Sequence, residues 1–224
     1  MSWYEEWFDS RLYETLYAHR DEEEAQKLAT LISAHVPAGR FPHLLDLGCG
    51  RGRHSHNFAE KGYRVTGTDL SPSAIEKART IADERGLTGV RFEVRDMREP
   101  LPETFDAVLN LFTTFGYFLD DDENIRVLQA VAQMLRSEGR FVIDFLNAER
   151  VGRTLVPSEK GSVGELHYTI RRHIAEGMVH KEISFFANGS QEPKTYTERV
   201  KLYDKPWFEQ QLQAHGFAIL DVWG

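Results

Sequence analysis

Cysteine is almost missing from this 224-residue chain: Cys49 stands alone, so no internal disulfide can form and no thiolate cluster can assemble around a metal. Long apolar runs are missing too. None approaches the roughly 20 residues needed to span a bilayer, and the charged start Met1-Ser2-Trp3-Tyr4-Glu5-Glu6 lacks the basic and apolar blocks of a secretory signal. There is no excess of positive charge. The formal net charge is −8, and basic residues are interleaved with acidic ones, as in Glu76-Lys77-Ala78-Arg79, which offers little to a phosphate backbone. These absences predict a cytoplasmic chain without nucleic-acid or membrane partners and without redox chemistry at sulfur. No repeat or low-complexity tract appears, and with 41% hydrophobic residues the length suits a single domain with one sizeable core.

What is present is an alternation of strand and helix patterns. Residues 21–35 place Ala25, Leu28 and Ile32 at helical spacing behind Glu22-Glu23-Glu24, whose carboxylates complement a helix start. His43-Leu44-Leu45-Asp46-Leu47 reads as a strand, followed by a glycine-rich turn and a helix that Gly62 ends. A second strand covers 63–68 and closes on Asp69; Ser71-Pro72 then opens a helix running to Gly86. Strands at 90–94 and 105–111, a helix at 122–135 and a strand at 140–145 complete the alternation. That order predicts an α/β fold, a doubly wound and mostly parallel sheet. Between residues 164 and 203 the pattern changes to three runs of period-two alternation, divided at Ala175-Glu176-Gly177 and at Asn188-Gly189, which predict an antiparallel β insertion after the fifth strand. A helix at 205–215 and a last strand at 217–222 follow. The expected layout is one domain over 1–224: an N-terminal helical segment (1–37), a core (38–150), the insertion (164–203) and a return to the core (205–224).

The turn after the first strand lies at the carboxyl edge of the sheet, where nucleotide-like ligands bind. Gly48, Gly50 and Gly52 follow G-x-G-x-G rather than the dinucleotide spacing G-x-G-x-x-G, and Arg53 occupies a place a dehydrogenase wants small. Asp69 ends the second strand, where a carboxylate can accept both hydroxyls of a ribose.

Four segments resemble the class I, seven-strand S-adenosylmethionine-dependent methyltransferases. They are Leu44-Leu45-Asp46-Leu47-Gly48-Cys49-Gly50-Arg51-Gly52, Gly67-Thr68-Asp69-Leu70-Ser71, Arg95-Asp96-Met97 and Leu135-Arg136-Ser137-Glu138-Gly139-Arg140-Phe141. Their order and spacing are those of the family, over roughly residues 40–146. The resemblance implies S-adenosylmethionine as cofactor. It implies that Gly48 and Gly50, with Cys49 between them, line the methionine portion, and that Asp69, followed by Leu70, holds the ribose. Asp96 and Met97 would flank the adenine and Asn110 and Leu111 would lie near the amino-acid end. Asp46 would orient the glycine loop or reach the ammonium through water. Cys49 itself reads as a small buried residue, not a nucleophile.

A narrower likeness covers most of the chain. The N-terminal aromatics Trp3, Tyr4, Trp7, Tyr13 and Tyr17, the segment from Asn110 to Tyr117 and the inserted sheet are similar to bacterial small-molecule methyltransferases, including those that modify amino sugars of macrolide antibiotics. In such proteins the N-terminal segment and the insertion close over the pocket. Tyr13, Tyr17 and Arg20 would therefore present polar tips from a lid, while Trp7 staples the segment to the core. After the fourth strand there is no Asn-Pro-Pro-Tyr or Asp-Pro-Pro-Tyr, which argues against DNA adenine and protein glutamine as acceptors. The implied reaction is direct in-line methyl transfer to a nitrogen or oxygen of a small molecule. Candidate bases are Tyr117, His54 and His167, with Asp144 beside them. Neither His43, His54 and His56 nor His167, His173 and His180 repeats a known ligand spacing, so no metal is expected. Oligomeric state is open, a homodimer included. A non-catalytic cofactor-binding protein is the main alternative, and a nicotinamide-dependent oxidoreductase is disfavoured by the glycine spacing.

Overall fold

The computed structural model describes residues 3–17, 22–186 and 192–223, and among these residues it holds nine strands and eight helices. In chain order they are α1 (Trp3–Phe8), α2 (Arg11–Leu16), α3 (Glu22–His35), β1 (His43–Leu47), α4 (Arg53–Glu60), β2 (Arg64–Asp69), α5 (Pro72–Glu84), β3 (Val90–Val94), β4 (Phe105–Asn110), α6 (Asp121–Met134), β5 (Leu135–Ile143), α7 (Ala148–Thr154), β6 (Ser158–Val163), β7 (Leu166–Ala175), β8 (Met178–Phe186), β9 (Lys194–Lys201) and α8 (Lys205–Ala214). They fall into two compact units. One spans the described residues of 20–115, 120–145 and 209–224; the other spans those of 1–19, 116–119 and 146–208.

The first unit holds a parallel sheet of order β3-β2-β1-β4-β5. Every residue of β1 and β4 is buried, as continuous apolar runs covered on both faces require. On one face Leu44, Val65, Ala107 and Leu109 pack against Ala29, Ile32 and Val36 of α3 and its end and Phe58 of α4; Ile75, Ala78 and Ala82 of α5 form a separate core with Phe92. Ser71 caps α5 by accepting the Ala74 N–H at 3.1 Å, and Pro72 takes the first helical position, where its missing N–H is harmless. The strand order reverses between β2 and β4 about β1, so the carboxyl ends of β1 and β4 flank the switch point of the sheet.

Two expectations in this unit are corrected. The strand foreseen at 217–222 does not form: residues 217–223 carry no strand pairing, and Ile219, Leu220, Val222 and Trp223 are exposed. An alternating pattern becomes a strand only beside a partner, and among the described residues the sheet ends at β5; Phe217 instead packs its ring on Phe141 at 5.5 Å. Nor does the strand expected at 140–145 wait for Gly139. Leu135 already pairs with Phe105, and the register then jumps to Ala107 against Arg140, with Glu138 in the left-handed region at φ 64°. Residues between the two pairings form a bulge.

The second unit is an antiparallel sheet of order β6-β7-β8-β9, with α1 and α2 on one face. Trp7, wholly buried, and Leu16 pack with Ile170, Ile183, Phe185 and Tyr196, so Trp7 staples the N-terminal segment to the inserted sheet and not, as expected, to the core. Glu198 reinforces it: one carboxylate oxygen accepts from Trp7 Nε1 at 2.7 Å and from the Tyr17 hydroxyl at 2.8 Å, while the other pairs with Lys181 at 3.1 Å. The turn between β7 and β8 puts Glu176 and Gly177 at φ 51° and 68°, the paired positive values of a tight hairpin. The turn foreseen at Asn188-Gly189 lies outside the described residues. Four strands stand where three were expected, because β6 is polar and mostly exposed and is held by its pairing with β7 alone. No helix among the described residues is long and apolar enough to cross a membrane.

Candidate functional site

The glycine loop leaves β1 at the switch point and is tied down by backbone. Thr68 at the end of β2 accepts both the Gly48 and Cys49 N–H groups, at 2.8 and 2.9 Å. Gly48 sits at φ 80°, and a Cβ built there would come within 3.0 Å of Thr114 Cβ and Oγ1, so only glycine fits. Beyond Gly50, by contrast, a Cβ would meet nothing within 4 Å: the loop faces open space there.

Asp69 joins the loop to the next helix. Its two oxygens accept the Gly50 N–H at 2.8 Å and the Ser71 N–H at 2.9 Å, which fixes the carboxylate plane at the edge of the glycine loop. Leu70 beside it is half-buried. Asp46 lies one residue before the end of β1, buried, and accepts the Ser55 hydroxyl at 2.5 Å. Burial above all, with the charge of Asp69 adding to it, pushes the Asp46 pKa up to about 6. Burial also raises the Cys49 thiol well above its ordinary value, and with Asp46 and Asp69 adding their charges it is an inert packing group.

At the end of β4, Asn110 is fully buried; its amide nitrogen donates to Leu47 O at 2.9 Å and its Oδ1 has no partner. A buried acceptor left open beside the loop suits a ligand ammonium. Leu111 turns its side chain into the core. Phe112 and Thr113 follow, both in the left-handed region at φ 61° and 56°, a conformation that costs a β-branched residue dearly and tends to persist at functional sites. Asp144 holds them there: its carboxylate accepts the Phe112 N–H at 2.9 Å and its backbone oxygen the Thr113 N–H at 3.0 Å. A carboxylate so used is a clamp on the turn. The Arg53 guanidinium lies over the Phe112 ring at 5.1 Å.

Asp96 is gripped by Arg98, whose backbone N–H and Nε reach one oxygen at 2.9 Å each and whose Nη2 reaches the other at 2.5 Å; Arg98 also pairs with Glu123. Burial by itself would raise the Asp96 pKa, but the hydrogen bonds and charge of Arg98 outweigh it and hold the carboxyl below its ordinary value. Met97 is half-buried next to it. His54, in the first turn of α4, is buried, and burial followed by the charge of Arg53 lowers its pKa to about 4. A ring so reluctant to take a proton is a poor general base at neutral pH.

Tyr117, His167 and Tyr17 belong to the other unit. Tyr117 is half-buried, its ring 5.6 Å from Trp3 and 5.2 Å from Phe8. His167 is exposed on β7, on the face opposite Tyr168 and Ile170. Tyr17 spends its hydroxyl on Glu198, and Arg20 lies outside the described residues. Ser55, Arg98 and Thr114 were not foreseen. Only Arg98 left a signal, a cation two residues beyond a carboxylate; the other two act through contacts across 9 and 67 residues.

Residues 44–139 match the family model described as a methyltransferase domain. Among curated proteins, the putative methyltransferase YqeM of Bacillus subtilis is 27% identical over 216 residues, covering 93% of this chain and 84% of that protein. Among solved structures, an S-adenosylmethionine-dependent methyltransferase from Clostridium acetobutylicum shares the fold with a TM-score of 0.77 at 21% identity, over 94% of this chain and 87% of the other. CalS10, an amino pentose methyltransferase of Micromonospora echinaspora solved with S-adenosylmethionine bound, gives 0.72 at 25% identity, over 92% and 89%.

Proposed function

We propose that this chain, a class I S-adenosylmethionine-dependent methyltransferase, methylates a nitrogen or oxygen of a small molecule by direct in-line displacement. The observation that carries the reading is Asp69, held at the carboxyl end of β2 by the Gly50 and Ser71 N–H groups beside the glycine loop, where a carboxylate can accept the hydroxyls of a ribose. Bound S-adenosylmethionine supplies a methyl group already activated as a sulfonium substituent, so no covalent enzyme intermediate is needed. The chain's part is alignment and exclusion of water. Gly48, Cys49 and Gly50 line the amino-acid side, with Asp46 orienting the loop from beneath. Asp69 and Leu70 hold the ribose, and Asp96 and Met97 flank the adenine. Asn110 offers its open Oδ1 to the ammonium, while Leu111 contributes only backbone. Tyr17 and Arg20 are candidates for contacting the cofactor, and Tyr117 and His167 are the candidates for removing a proton from the acceptor.

Support for a small acceptor comes from the likeness to CalS10 and from the segment 110–117, which lacks the paired prolines that grip a planar amide or base. Calorimetry with S-adenosylmethionine, S-adenosylhomocysteine and NADH tests the cofactor, and transfer of labelled methyl to a panel of amino sugars and small phenols tests the acceptor. We expect both adenosyl ligands to bind in the micromolar range and Asp69→Ala to weaken both severely. Binding of NADH alone would sink the reading; cofactor binding without any product would favour a non-catalytic binding protein.

A further inference from the structure

Helix α4 begins at the glycine loop and its first turn is uncapped. The N-cap residue is Gly52, which has no side chain to offer the N–H groups there, and the first turn contains no acidic residue. Aligned peptide dipoles make such a helix start attractive to an anion. His54 adds an independent observation. It is 8% exposed, and its Nδ1 is buried without any hydrogen-bond partner. Its other nitrogen, Nε2, lies 3.4 Å from Arg53 Nη2. A guanidinium can only donate, so Nε2 accepts and the proton of the neutral ring sits on Nδ1. The lowered pKa keeps the ring neutral at pH 7. Buried N–H donors with no acceptor are uncommon in folded proteins and point to a missing partner. Arg53 is engaged elsewhere, with Glu24 at 3.3 Å and with the Phe112 ring.

We propose that His54 Nδ1–H, together with the start of α4, receives the α-carboxylate at the amino-acid end of the cofactor, with Arg53 as the positioning residue that fixes the imidazole tautomer. The proposal rests on the cofactor reading above. At the two ends of the glycine loop the chain then has one unpartnered buried acceptor, Asn110 Oδ1, and one unpartnered buried donor, His54 Nδ1, the pair that an amino-acid zwitterion requires.

The test is calorimetric binding of three ligands: S-adenosylhomocysteine, the same thioether without its carboxylate, and 5′-methylthioadenosine, which lacks the whole amino-acid end. The proteins are the native chain, His54→Asn, His54→Gln and His54→Phe. An Asn amide nitrogen falls near the Nδ1 position, whereas that of Gln falls near Nε2. The native chain and His54→Asn should prefer the carboxylate-bearing ligand by about tenfold or more, a preference that His54→Gln and His54→Phe lose. All four should bind 5′-methylthioadenosine alike. A preference that survives in His54→Phe overturns the proposal, and so does a parallel loss of 5′-methylthioadenosine binding, which marks a structural role for the ring. Failure of the native chain to bind any of the three overturns the cofactor reading and the proposal with it, a result distinct from lost discrimination.

Discussion

Asp46 and His54 are buried groups whose protonation equilibria move in opposite directions, and replacing one should expose the other. The Asp46 pKa rises from 3.8 to about 6, mainly through burial. Its stabilising contribution is complete below pH 3.8 and lost as pH rises through 6, because over that interval the folded chain holds a proton that the unfolded chain releases. His54 falls from 6.5 to about 4, again mainly through burial. Its contribution is complete above pH 6.5 and lost as pH falls through 4. Each shift of a little over two pH units corresponds to about 3 kcal/mol at 1.36 kcal/mol per unit, so the two slopes oppose each other and nearly cancel between pH 4 and 6. Asp46→Asn keeps an oxygen for the Ser55 hydroxyl and removes the titration. Unfolding in urea at stepped pH should show the mutant gaining stability relative to the native chain by about 2 kcal/mol between pH 4 and pH 6.5. The difference curve cancels every other titrating group. Parallel curves, or a difference that shrinks as pH rises, would refute the reasoning.

Three further outcomes follow from single contacts. Gly48→Ala should lose about 1–3 kcal/mol of stability, since it combines a φ of 80° with a Cβ 3.0 Å from Thr114, whereas Gly39→Ala meets nothing within 4 Å; equal urea midpoints for the two would contradict this. Thr113→Gly relieves a β-branched residue held at φ 56° and should gain about 1 kcal/mol in the same assay; a loss would show that the turn is not strained. Glu198→Ala should destabilise by about 1–3 kcal/mol, because it strips Lys181 of its half-buried carboxylate and releases Trp7 and Tyr17. Glu198→Gln should lose less, as its amide oxygen can still accept from both aromatics, and thermal melts ranking the two variants the other way would exclude this account.

The parallel sheet was legible because its signals are local. Apolar runs of five or six residues, each closed by glycine or by a cap such as Ser71, mark strands and helix starts without reference to the rest of the chain. The errors arose where pairing decides. The segment 217–222 has an apolar strand pattern and no neighbour, while Ser158–Val163 has almost no apolar alternation and is a strand because β7 lies beside it. Hydrophobic alternation reports burial on one face, not the presence of a hydrogen-bonding partner, and edge strands separate the two. Helix α7 was also passed over, although Asn147 caps it by accepting the Arg150 N–H at 2.9 Å; at seven residues with none buried, it has no apolar stripe to read.

Within the site, residue type located chemistry more surely than it assigned roles. A glycine loop and a strand-ending aspartate are tied to backbone geometry, so spacing placed Gly48, Gly50 and Asp69 at the edge of the sheet, while their roles came from the family resemblance. His54 and Asp144 were candidate bases because their side chains can take a proton, and that property says nothing about what surrounds them. Burial and an adjacent guanidinium make the histidine a neutral donor, and two backbone N–H groups make the aspartate a clamp on a strained turn. Both roles come from neighbours supplied by folding: Arg53 is adjacent in sequence but oriented by its helix, and Phe112 is brought to Asp144 across 32 residues. A titratable residue in a cofactor fold is thus a base only where the fold leaves a proton acceptor free, and at His54 the acceptor nitrogen is already committed to Arg53.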